Sequence, residues 1–75
     1  MVMTLDQLPK SQPSVIKAIN TENVPLKLIE IGCMAGNIVE VLQVAPLADP
    51  IYIKVNDSFM SIRRDLAEQI EVELI

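Results

Sequence analysis

One thiol, ten carboxylates and six lysine or arginine side chains carry the polar chemistry of this 75-residue chain, which has no histidine. Without imidazole there is no ordinary general base near neutral pH, no imidazole metal ligand and no Ser-His or Cys-His pair. Cys33 is the only cysteine, so no nucleophile is paired with an activating neighbour. The two glycines, Gly32 and Gly36, form neither a P-loop nor a G-x-G-x-x-G fingerprint, and no loop is built to cradle phosphate. The carboxylates (Asp6, Glu22, Glu30, Glu40, Asp49, Asp57, Asp65, Glu68, Glu71 and Glu73) are scattered along the chain and read as solvated surface charge. The expectation is a protein that is no enzyme and needs no cofactor.

The elements that hold these residues must come from a small aliphatic core. Apolar residues are 51% of the chain and aromatics 3%, so Ile, Val, Leu and Met fill the interior, and the length points to one domain over residues 1–75. A net charge of −4 repels a phosphate backbone and argues against nucleic acid as a partner. A lone cysteine in so short a chain fits a reducing compartment. The N-terminus has no basic region followed by an apolar stretch, and no apolar run approaches a membrane span, so the expected location is the cytoplasm, without insertion into the membrane. The excess of apolar residues leaves room for a weak homo-oligomer.

Periodicity predicts five strands. Thr4-Leu5-Asp6-Gln7 carries a capping-box pattern and opens one helical turn, which Pro9 stops. Residues 14–20 are rich in β-branched side chains and form strand 1 of the prediction, leading into the polar Asn20-Thr21-Glu22-Asn23. Val24 to Gly32 is a short helix, with Pro25 suited to its start and Gly32 to its end. Residues 37–45 form a second strand whose alternation slips between Val41 and Leu42, so a bulge or sharp bend there would restore the burial of Leu42 and Val44. After the proline-bracketed loop Pro46-Leu47-Ala48-Asp49-Pro50, Ile51–Val55 alternates cleanly, Asn56-Asp57 makes a two-residue hairpin turn, and Ser58–Ile62 returns. A helical turn over 64–69 precedes a last strand, 70–75. These elements are expected to close into a mainly β, partly open five-stranded barrel, with the helix between strands 1 and 2.

The order Leu5-x-x-Leu8, Leu26-x-Leu28-Ile29-Glu30-Ile31-Gly32-Cys33-Met34-Ala35-Gly36, Asp49-Pro50, Ser61-Ile62-Arg63 and Ile70-x-Val72 resembles the family of ferrous iron transport protein A, FeoA, over essentially the whole chain. The resemblance implies a free-standing SH3-like barrel. It also implies a non-catalytic cytoplasmic accessory of bacterial ferrous iron uptake that binds and modulates FeoB, a membrane permease with a G-protein domain. The other readings are an SH3-like module of the kind that ends metal-dependent repressors, or a peptide-binding SH3 module, for which Tyr52 and Phe59 are too few rings. The chain departs from the family where Ser11 and Asp57 replace glycines, Ala35 a proline, and Lys27 and Leu28 an arginine.

On a helical wheel, only the arc holding Glu30 and Lys27 is polar, and the apolar arc spans roughly 220°, about twice what one small core needs. Either the helix lies deep and buries that arc, or Leu28 and Ile31, with neighbouring Cys33 and Met34, form an apolar docking patch for another chain. Exposure of Leu28 decides between them. As metal ligands Cys33 and Met34 are poorly matched to ferrous iron, which prefers histidine and carboxylate, so packing is their expected role and no metal site is assigned. Gly32 and Gly36 read as turn-forming residues. Arg63-Arg64 is either a solvated edge or a pairing site for an acidic partner.

Overall fold

The computed structural model describes residues 2–20, 22, 24–47 and 49–75. Its elements are β1 (Val2–Thr4), a 3-10 turn (Leu5–Gln7), β2 (Ser14–Ile19), α1 (Leu26–Glu30), β3 (Ile38–Val44), β4 (Ile51–Val55), β5 (Ser58–Ile62), α2 (Arg64–Ala67) and β6 (Ile70–Leu74). The six strands form one antiparallel sheet in the order β1-β6-β2-β3-β4-β5. Laid flat, six strands at normal spacing would make a layer about 24 Å wide and only about 10 Å thick. The molecule measures 28 × 25 × 21 Å, so the sheet is strongly bent around its own core. It is an SH3-like, partly open barrel whose ladder ends at β1 and β5.

The core is aliphatic. Ile51, Ile53 and Val55 of β4, Val39 and Val41 of β3, Ile16 of β2 and Ile70 and Val72 of β6 are buried, together with Leu5 from the 3-10 turn, Leu28 from α1 and Ala67 from α2. Alternation along β4 is clean because one face packs inward and Tyr52 and Lys54 turn outward. The capping box at Thr4 forms, with the Thr4 N–H donating to Gln7 Oε1 at 3.4 Å.

Three features differ from the sequence expectation. A sixth strand, β1, precedes the 3-10 turn and pairs with β6 (Val2 opposite Glu73, Thr4 opposite Glu71); three residues are too few for a period to show. The helix is five residues long, because Val24 lies in a bend, Pro25 leads in at φ −58° and ψ 143° and Ile31 already caps it. The bulge falls where the alternation slips, between Val41 and Gln43, but Leu42 is only partly covered and Val44 is 39% exposed. There the strand has run past the core, so the bulge redirects the chain without burying Val44. A second irregularity, between Ile16 and Ala18 in the β2–β6 ladder, was missed in the sequence although Ile16 and Ile19, on opposite faces of a regular strand, both meet the core. Thr21, Asn23 and Ala48 in the polar turn and proline loop lie outside the described residues.

Candidate functional site

The region expected to dock a partner is the connection from α1 to β3. Leu28 is fully buried, and so is Cys33. The patch of Leu28, Ile31, Cys33 and Met34 therefore does not exist as an exposed unit. The wheel explains the correction: Leu28 points straight at the core, Ile29 and Ile31 flank it half-buried, and Lys27 and Glu30 lie on the solvent side. The apolar residue in excess is Leu26, 70% exposed beside those two charges. Sequence reasoning found the surplus of apolar arc and placed it on the wrong side, because an arc read without its neighbours does not show which half meets the core.

Beyond the helix the chain is held tightly. Gly32 and Gly36 both adopt left-handed backbone, with φ of +100° and +95°. Gly32 sits against the β4–β5 turn, and a Cβ there would run into the Asn56 carboxamide; Gly36 faces open space. The Asn37 side chain donates to the Gly32 carbonyl (2.6 Å), the Gly36 N–H to the Ile16 carbonyl (2.8 Å), and the Ile16 N–H to the Asn37 carbonyl (2.9 Å). These bonds weld the loop to β2 and fix Met34, 45% exposed, and Ile38, 42% exposed, on either side of it. Leu26, Met34 and Ile38 thus bracket a rigid connection with apolar side chains in solvent, and Ile31 lies half-buried between α1 and the loop.

Burial pushes the Cys33 thiol from 9.0 up to about 11, so it is a neutral, poorly nucleophilic group near pH 7 and packs as a small apolar side chain. Among the described residues no group of three or more Cys, Asp or Glu side chains could hold a metal ion. Arg64 is turned inward on its own chain: its guanidinium lies 4.0 Å from the Asp6 carboxylate and its backbone N–H donates to Asp49 Oδ1 at 2.9 Å. Arg63 is exposed.

A second exposed surface lies on the outer face of β4 and β5, and sequence reasoning treated its rings only as too few for a peptide groove. Tyr52 and Phe59 stack with ring centroids 6.2 Å apart and planes 16° from parallel, and the Lys54 ammonium lies 6.0 Å from the Phe59 centroid. Diagonal positions on adjacent strands bring the two rings together, which the register of a two-residue hairpin makes foreseeable.

Comparison with known proteins adds what geometry does not. The model of the FeoA domain matches residues 3–74. The chain is 39% identical over 74 residues to the Fe(2+) transport protein A/Fe(2+) transporter FeoB fusion protein of Porphyromonas gingivalis, covering 97% of this chain and 9% of that protein. It is similar to the solution structure of iron(II) transport protein A from Clostridium thermocellum (35% identity, TM-score 0.84, covering 97% of this chain and 46% of that one). It is also similar to FeoA protein from Chlorobium tepidum (31% identity, TM-score 0.88, covering 97% and 70%). At 20% identity, T. acidophilum IdeR shares the fold alone, with a TM-score of 0.82 over 99% of this chain and 34% of its own. No helix among the described residues is long and apolar enough to cross a membrane.

Proposed function

The chain belongs to the FeoA domain family, and on that premise we propose that it is a non-catalytic cytoplasmic accessory of ferrous iron uptake that docks on the cytoplasmic part of a FeoB-type permease and modulates it. The observation that carries this reading is the Porphyromonas relative, in which a segment 39% identical to this chain shares one polypeptide with an Fe(2+) transporter. A covalent tether makes an encounter intramolecular, at an effective concentration in the millimolar range, which suits a weak interaction used continuously. The proposed docking surface is Leu26, Met34 and Ile38 around the α1–β3 connection, with Ile31 at its edge; the backbone of that connection is already held by hydrogen bonds within the loop and to β2, and loses little freedom on binding. A repressor-type module is the weaker reading, since identity to IdeR is only 20%.

A pull-down tests it, with this chain against the soluble cytoplasmic domain of the cognate permease, with and without guanine nucleotide and Fe(II). Saturable retention is expected, weakened at least tenfold by Leu26→Glu or Met34→Glu in variants whose circular dichroism matches wild type. Leu28→Glu is unsuitable, because it would bury a carboxylate without a partner. Absence of retention in every nucleotide and iron state, with the chain folded, would overturn the reading.

A further inference from the structure

Strand β5 has no neighbour on its outer side among the described residues: it ends the sheet, and only β4 pairs with it. The opposite edge, β1, is three residues long, whereas β5 has five. Proteins commonly blunt such an edge with lysine, proline, a bulge or an inward charge. Ser58-Phe59-Met60-Ser61-Ile62 has none of these, and its ladder with β4 runs without irregularity from Val55 opposite Ser58 to Ile51 opposite Ile62. The charges stand just outside it, Asp57 before and Arg63 after, and both are exposed.

We propose that β5 pairs with β5 of a second copy of this chain, antiparallel, about a two-fold axis passing through Met60. Three observations select this occupant and register. First, a two-residue turn makes Val55 and Ser58 its hydrogen-bonded closing pair, so on an alternating antiparallel ladder Ser58, Met60 and Ile62 bond to β4, while the N–H and C=O groups of Phe59 and Ser61 point to the open side. The two-fold centred on Met60 sets Phe59 opposite Ser61 of the other copy, a pair that exchanges both bonds, and does so twice. Second, the same register brings the turn residue Asp57, at the start of β5, to the end of the other copy's β5, where Arg63 stands, and Arg63 to its Asp57. An edge flanked by one acid and one base is charge-complementary to itself only when antiparallel. Arg63 has extended backbone (φ −77°, ψ 151°), so the strand direction continues to that position. Third, Phe59, 55% exposed and stacked on Tyr52, becomes the diagonal neighbour of the other copy's Phe59, joining two aromatic pairs into a cluster of four rings on the outer face. The contact is isologous and closes on itself, giving a dimer and no filament.

The interface is small, so dissociation is expected on the order of 100 µM. Sedimentation equilibrium from micromolar to millimolar chain should show a monomer–dimer transition. Arg63→Glu and Asp57→Arg should each weaken it at least tenfold, because each sets like charges opposite one another twice. An equimolar mixture of these two variants should dimerise as wild type does, since every facing pair is then opposite in sign. Ser61→Pro, which removes an edge-facing N–H, should abolish the dimer. In amide exchange, Phe59 and Ser61 should gain protection with concentration, while Ser58, Met60 and Ile62 are protected throughout. A chain that stays monomeric at millimolar concentration overturns the proposal, as does a dimer indifferent to all three substitutions. Protection of Phe59 and Ser61 only when the permease domain is added would assign the edge to that partner and overturn self-pairing.

Discussion

Cys33 combines complete burial with a thiol whose ionisation is displaced by desolvation alone, to about 11. The sign of the consequence is fixed. In the unfolded chain the thiol ionises near its ordinary 9.0, while in the folded chain it keeps its proton to about 11. The stability contributed by the neutral thiol is therefore complete below that window and falls as pH rises through it. Chemical denaturation from pH 8 to 11 should show a steeper alkaline loss for wild type than for Cys33→Ala, which itself costs about 1–2 kcal/mol at neutral pH. Parallel curves for the two proteins would contradict the assignment. A packing role for Cys33 was legible in the sequence and its burial bears that out; how deep it lies was not, because a cysteine after a helix-terminating glycine lies on no periodic face. Its inertness was legible in part, from the lack of histidine.

Among the elements, the turns carry the most specific chemistry. Ser11 adopts φ +65° while its N–H donates to the Val41 carbonyl at 2.7 Å. A left-handed non-glycine residue costs roughly 1–2 kcal/mol, and glycine's greater freedom in the unfolded chain returns part of that gain. Ser11→Gly should stabilise by about 0.5–1 kcal/mol in urea denaturation. Gly36→Ala should cost about 1–2 kcal/mol from backbone strain alone, and Gly32→Ala more, because its methyl also meets Asn56. The gap should narrow in an Asn56→Gly background, where the obstructing carboxamide is gone; an unchanged gap would place the penalty elsewhere. The strand β4 could be read directly because one buried face imposes a period of two, and the β3 bulge because that period visibly breaks. The helix was read four residues too long, from Val24 to Gly32 against Leu26–Glu30, since Pro25 and Gly32 mark where a helix is tolerated and not where its hydrogen bonds begin and end.

For the whole molecule, burial and not charge holds the barrel together. The ion pairs Lys17–Glu73 (3.7 Å) and Arg64–Asp6 (4.0 Å) include side chains close to half exposed, at 48% and 42%, and pairs of that kind contribute about 0–1 kcal/mol each. Raising salt from about 0.05 to about 0.5 M should change the unfolding free energy by less than about 0.5 kcal/mol, measured by urea titration. A larger loss would mean that these pairs matter more than their exposure suggests. The overall architecture was legible because five of the six strands each carry a patterned face; which apolar residues of α1 stay exposed was not, because that depends on which side of a short helix meets a core assembled from distant segments. The pairing of Val2 with Glu73 has a consequence for attachment. The first and last strands run side by side in opposite directions, so the chain enters and leaves the barrel at one corner. A host protein could therefore carry this barrel within one of its own loops, both junctions a few ångströms apart, with no stretch of backbone spent on reaching around it.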